Sequence, residues 1–192
     1  MTAPHLIGLI GRAGSGKSTA AEIIAADGFT RTRFASGLKS MLSALFATAG
    51  LPPAEITRRI EGDLKEAPDA ILDGKSPRQA MIALGTEWGR DLISPGLWVS
   101  IWEARARSIL AAGSSVVVED VRFLNEIEAI RCLGGRVLYI DRQGPGVVSI
   151  DHVSETLGPA AADLTVDNSG TIADLSDQIR RELSRNKSRN IQ

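Results

Sequence analysis

A doubly wound α/β domain, with five parallel strands flanked by helices, is predicted for this 192-residue chain by three observations. Short apolar runs alternate with helix-period segments, a glycine-rich loop follows the first run, and the third run is β-branched and ends in acid. The length suits one domain over 1–192 and lets roughly 70% of the unfolded surface be buried. Charged residues make up 23% and the net charge is −1, so nothing pulls the chain toward nucleic acid or a membrane surface. No window approaches the roughly 18 uninterrupted apolar residues of a membrane span, and no leader-like segment opens the chain, so a cytoplasmic protein is expected. The single cysteine, Cys132, excludes an intramolecular disulfide; within a helix and far from other metal ligands, it is expected to be a buried structural thiol.

Leu6-Ile7-Gly8-Leu9-Ile10 is apolar throughout, as a strand covered on both faces must be. Gly11-Arg12-Ala13-Gly14-Ser15-Gly16-Lys17-Ser18 then fits G-x-x-x-x-G-K-[ST] between that strand and a helical pattern, the context a phosphate-binding loop requires. Its glycines let successive N–H groups converge on phosphate oxygens. Lys17 reaches the β- and γ-phosphates, Ser18 offers its hydroxyl to Mg²⁺, and the helix N-terminus adds about half a unit of positive charge. A nucleoside triphosphate is therefore the expected ligand. Ala20, Ala21, Ile23 and Ile24 give the helix its inner face until Gly28 ends it.

Residues 29–34 alternate as a second strand. Ser36 can cap the next helix, whose stripe is Leu38, Met41, Leu42, Leu45 and Phe46. Lys39 in its first turn opposes the helix dipole, so it is either solvated or aimed at an anion. Residues 51–77 are rich in proline and glycine and should form a mobile flap with one short helix near 54–61. Ser76-Pro77 opens another helix as N-cap and first residue; Gly85-Thr86-Glu87-Trp88-Gly89-Arg90 then interrupts or closes it as an exposed corner. A helix over 97–112 turns Trp98, Ile101, Trp102 and Ile109 to one side, toward the core.

Ser115-Val116-Val117-Val118 is the third strand, and Asp120 beyond it is the carboxylate expected to reach the metal, directly or through water. Arg122 follows, then a helix from Asn125 and Glu126 with Ile127, Ile130 and Leu133 inward, closed by Gly134-Gly135. Residues 136–141 form the fourth strand with Arg142 just past it. Gln143 to Pro159 is a second candidate lid, in which His152 is read as a polar loop residue rather than a substrate contact. Residues 163–166 form the fifth strand, and Thr171 to Asp174 is a capping box for the last helix, with Ile172, Leu175, Ile179 and Leu183 inward. The basic tail from Arg180 reads as a solvated helix end, not a nucleic-acid contact.

Triphosphate binding alone permits a switch, a motor or a transferase. Arg122 and Arg142, each just beyond the carboxyl end of a strand, favour phosphoryl transfer, where catalysis is largely positioning plus cation stabilisation. An acceptor already bearing a phosphate needs cations of its own, for which Arg78, Arg122, Lys39 and Arg90 are available. Two lids would keep water from the triphosphate.

Several runs in order carry a more specific signal: Phe34-Ala35-Ser36-Gly37-Leu38-Lys39, Pro77-Arg78-Gln79, Leu84-Gly85-Thr86-Glu87-Trp88-Gly89-Arg90, Trp98, Asp120-Val121-Arg122-Phe123-Leu124-Asn125-Glu126 and His152-Val153-Ser154-Glu155. Over nearly its whole length the chain resembles the phage-type deoxynucleoside monophosphate kinases. The resemblance implies the P-loop nucleoside monophosphate kinase fold, ATP as donor with Mg²⁺, and a deoxynucleoside monophosphate as acceptor. By position it implies Gly11 to Thr19 around the ATP phosphates, Asp120 and Arg122 at acceptor and metal, and Arg142 in the lid. Arg78, Arg90 and Trp98 fall on the acceptor side. It also implies a mobile acceptor-binding region of about 36–96 and a lid of about 142–160. The partners expected are these small molecules, without stable nucleic-acid or membrane contact; a homodimer is compatible with the sequence. No single matched residue fixes the base. A kinase resembling dephospho-coenzyme A kinase is the nearest rival, and Asp120-Val121-Arg122 counts against it. A nucleotide switch would carry N-K-x-D, but Asn186-Lys187-Ser188-Arg189 lacks the acid.

Overall fold

The computed structural model describes residues 5–142 and 157–189, with side chains to Leu183. Most of the expected lid lies outside the described residues, together with His152 and Glu155. Backbone contacts divide the chain into two compact units, one made of residues 1–33 and 103–192, the other of Phe34–Trp102.

The first unit is built on five parallel strands, β1 (Leu6–Ile10), β2 (Phe29–Thr32), β3 (Ser115–Val118), β4 (Arg136–Asp141) and β5 (Leu164–Asp167), in the order β2-β3-β1-β4-β5. Every residue of β1 is buried, as are the three valines of β3, because helices cover both faces of the sheet. On one face Ile7, Leu9, Leu138 and Ile140 pack with Ala20, Ala21 and Ile24 of α1 (Lys17–Ala26) and with Leu175 and Ile179 of α7 (Ile172–Arg189). On the other lies α6 (Leu124–Cys132), whose Ile130 comes so close that a Cβ on Gly8 would overlap it. The sheet order reverses at β1, where β3 lies on one side and β4 on the other. Loops leaving the carboxyl ends of β1 and β3 therefore open at the switch point where such sheets bind ligands.

Helices make up the second unit: α2 (Ser36–Thr48), α3 (Pro53–Ile60), a short turn at Ala70–Leu72, α4 (Pro77–Ala83), a π-helix at Leu84–Ile93, and the start of α5 (Leu97–Ala111). Leu38, Leu42, Phe46, Ile60, Met81 and Trp98 form its core. Ser76 caps α4 as expected: its hydroxyl accepts from Gln79 N while the Gln79 side chain accepts from Ser76 N. Residues 61–76 make hydrogen bonds within this unit. Buried Asp69 accepts from Arg59 Nε at 2.7 Å and from Ile71 N at 2.9 Å, and Arg78 N donates to Lys65 O at 3.0 Å.

Several expectations need correction. Cys132 is exposed, because Glu126, Ile127 and Ile130 define the buried face of α6 and residue 132 falls on the opposite side. Met41, Leu45 and Ile101 are likewise exposed; the inward stripe of α2 is narrower, Leu38, Leu42 and Phe46. Ser36 does not cap α2, since the helix begins at Ser36 with Ala35 before it and no side-chain cap. The second strand stops at Thr32, two residues short of the expected end. Gly85 to Arg90 is no exposed corner: it lies within the ten-residue π-helix, with Gly89 buried. A Cβ at Gly89 would overlap both the Trp98 indole and Leu84 O, so glycine is what lets the widened turn close on the tryptophan.

Candidate functional site

The loop after β1 adopts the conformation its glycines allow. Gly11, Gly14 and Gly16 have φ of 146°, 76° and 95°, values an L side chain rarely takes. Lys17 Nζ lies across the loop, donating to Gly11 O at 2.6 Å and Arg12 O at 2.8 Å. Ser15 is buried, and its Oγ has no hydrogen-bond partner among the described residues. Arg12 and Ser18 are exposed, and Ala13 and Thr19 are partly covered. The first turn of α1 carries no acid, so nothing on the helix opposes an anion at its N-terminus. A polyphosphate fits this loop: its backbone curls and one cation spans it.

At the end of β3 the two adjacent carboxylates have different surroundings. Glu119 is buried, accepting from Arg31 Nη2 at 2.7 Å and from Arg33 Nε. Those guanidiniums satisfy it, so it is a bracket between β2 and β3. Asp120 is less covered. Beyond it Arg122 is exposed, but its backbone is not loose. Buried Glu126 accepts from Arg122 N at 2.7 Å and from Phe123 N at 3.2 Å, using donors that the start of α6 leaves unpaired. Arg142, just past β4, is exposed. The structure thus carries the P-loop, Asp120, Arg122 and Arg142 on the same unit, each beyond the carboxyl end of a strand.

In the second unit two of the sequence-predicted cations, Lys39 and Arg78, lie against acids. Lys39 donates to both oxygens of Glu61, at 2.7 and 2.9 Å, and Arg78 lies 3.4 Å from Glu66. Arg90 donates to Pro95 O at 3.2 Å, at the far end of the π-helix. Trp98 is buried and donates from its indole N–H to Gly85 O at 2.9 Å, so its job here is to hold the π-helix. The ring of half-exposed Trp88 lies 6.1 Å from it.

Sequence reasoning missed Lys65. It is half-buried, and no described residue accepts a hydrogen bond from its ammonium. Burial lowers its pKa first, then the charges of Lys39 and Arg78, against weaker opposition from Glu61 and Glu66. Nothing in a run of mixed charges marks such a lysine; only the folding of α2, α4 and the intervening loop brings three cations together.

The metal question can be put to the donor set. Among the described residues there is no cluster of three or more His, Cys, Asp or Glu. Mg²⁺ needs none, since it keeps several waters and takes one or two protein oxygens beside substrate phosphates. Ser18 and Asp120 suit that mode.

Residues 55–179 match the deoxynucleotide monophosphate kinase family. A candidate deoxynucleotide monophosphate kinase of Acanthamoeba polyphaga mimivirus is 36% identical over 189 residues, 91% of this chain and 93% of that protein. The deoxynucleotide monophosphate kinase of Escherichia phage RB69 is 31% identical over 123 residues, 62% of this chain and 50% of that protein. Among solved structures, a gluconokinase from Sinorhizobium meliloti 1021 is 15% identical with a TM-score of 0.48, covering 100% of this chain and 98% of that one. By the family match and the near full-length similarity, the chain belongs to the deoxynucleotide monophosphate kinases.

Proposed function

We propose that this chain transfers the γ-phosphate of ATP to a deoxynucleoside monophosphate, giving ADP and a deoxynucleoside diphosphate. The observation that carries the donor half is the loop Gly11–Ser18, with its glycine backbone and Lys17 bridging its carbonyls. Its N–H groups bind the polyphosphate, and Lys17 reaches the β- and γ-oxygens. Ser18 and Asp120 would hold Mg²⁺, which when bound neutralises charge on those oxygens. Arg122, at the acceptor phosphate, and Arg142, over the transferring group, stabilise the charge that spreads between them during transfer. The acceptor phosphate is largely ionised near neutral pH and attacks in line, so no general base is assigned. A movable acceptor-binding part is supported by residues 34–102 closing a core of their own; that part, and a lid over about 142–160, would exclude water. Among the described residues no helix is long and apolar enough to cross a membrane.

Lys39, Lys65 and Arg78 are the cations we assign to the acceptor phosphate, with Arg90 and Trp98 shaping the π-helix beside them. Lys65 makes this reading specific. Its folded pKa lies below that of an ordinary lysine, so at neutral pH the charged form is disfavoured by folding; the penalty disappears only as pH rises past the lowered value. A phosphate dianion between the three cations reverses that balance. Lys65→Met should therefore raise KM for the monophosphate about tenfold, equivalent to ~1.4 kcal/mol, and leave KM for ATP and the thermal midpoint unchanged or the midpoint raised. In the wild type, acceptor KM should begin to rise at a pH below the ordinary lysine range, and Lys65→Met should abolish that limb. A variant with unchanged acceptor KM would remove Lys65 from the assignment.

The function itself is tested by supplying each dNMP and NMP in turn with ATP and Mg²⁺ and following ADP. Production of ADP that depends on a deoxynucleoside monophosphate is expected. Release of ADP at one rate with or without acceptor would instead indicate a hydrolytic switch.

A further inference from the structure

Asn168 follows the last strand, and its side chain reaches the phosphate-binding loop 153 residues away, with Nδ2 donating to Ser15 O at 2.8 Å. A carbonyl can only accept, so the amide's orientation is fixed by its partner. The Asn168 backbone is fixed as well. Its N–H donates to Asp141 O at 2.6 Å, and the residue before it, Asp167, is held by Gln178 of α7 through Asp167 N at 3.2 Å and Asp167 O at 3.0 Å. Asp167 in turn accepts from Ser169 N at 2.9 Å. The asparagine therefore stands on a braced ledge between β4, β5 and α7. Gly16 makes room for it, since a Cβ there would overlap Nδ2.

Ser15 O and Gly16 N–H belong to one peptide group, and in a trans peptide the two point in opposite directions. Whatever pulls the carbonyl outward aims the N–H inward. Without the asparagine, that peptide can rotate and present its oxygen to the phosphates, turning a donor into a repelling acceptor. We infer that Asn168 is a positioning residue of the donor site: by holding Ser15 O it keeps the Gly16 N–H turned into the phosphate cradle. The inference rests on the ATP reading above.

Binding of ADP and of inorganic tripolyphosphate to the whole chain, each with Mg²⁺ and followed by calorimetry, tests it. Asn168→Ala should weaken both ligands by a similar factor of about ten, because the defect lies in the cradle and not in any contact to the base. In turnover, KM for ATP should rise while KM for the deoxynucleoside monophosphate stays within twofold. Asn168→Asp keeps the shape but sets a carboxylate against a carbonyl near the phosphates, and should weaken both ligands further. It also serves as the second variant should the alanine form melt early. Loss of ADP binding with tripolyphosphate unaffected would overturn the inference in favour of a base contact, and unchanged binding of both would overturn it outright. If the wild type bound neither ligand, the ATP reading would fall and this inference with it.

Discussion

Lys17→Ala should lower kcat for ATP-dependent phosphorylation of a deoxynucleoside monophosphate by roughly a thousandfold, an effect on the order of 4 kcal/mol in the barrier. The ammonium is anchored at the loop by Gly11 O and Arg12 O, at 2.6 and 2.8 Å, so its charge is held in place before any substrate arrives. In phosphoryl transfer, negative charge moves toward the bridging and leaving oxygens, and a fixed cation there stabilises the transition state more than the bound triphosphate. KM for ATP should consequently move much less than kcat, by tenfold at most, since the backbone donors of the loop remain. Lys17→Arg should not rescue turnover, because a planar guanidinium cannot occupy the point position between two carbonyls that a tetrahedral ammonium fills. Steady-state kinetics with both substrates varied, beside ADP binding, separate these effects. A kcat within tenfold of wild type would remove Lys17 from the transition state.

What could be read from the sequence was local, and what could not was brought together by the fold. The P-loop, the β-branched third strand and the caps at Ser76 and Thr171 each depend on residues within a few positions; the last is realised as Thr171 Oγ1 accepting from Asp174 N at 3.2 Å while Asp174 accepts from Thr171 N at 2.9 Å. The π-helix at Leu84–Ile93 was missed because two glycines read locally as a break, whereas its width is set by Trp98, thirteen residues from its hydrogen-bond partner Gly85. Glu119 and Asp120 are equivalent in a string of letters. Their difference comes from Arg31 and Arg33, 88 and 86 residues distant. Asn168 and Lys65 were invisible for the same reason, each defined by partners that only the folded chain supplies. Cys132 was misplaced by a simpler error: a helix assigned correctly, but a face chosen without its neighbours.

Arg122→Ala should reduce kcat/KM for the deoxynucleoside monophosphate by about two to three orders of magnitude while leaving the ADP dissociation constant within twofold. The side chain is exposed, but the peptide that carries it is held by a buried carboxylate, Glu126, through 2.7 and 3.2 Å bonds at Arg122 N and Phe123 N. A rigid backbone with a solvated guanidinium is a cation placed in advance, and it is the arrangement an arginine needs to meet an incoming phosphate with little further ordering. Because the guanidinium is outside the core, the alanine variant should melt with the wild type, and lost activity can be assigned to the missing charge. Arg122→Lys should recover only part of the loss: the charge returns but the two-pronged geometry does not. Glu126→Gln separates position from charge, since its amide oxygen can still accept from the backbone. Activity close to wild type in that variant, beside a large loss in Arg122→Ala, is the expected pair of results. An Arg122→Ala enzyme that instead bound ADP poorly and used the acceptor normally would move this arginine to the donor side.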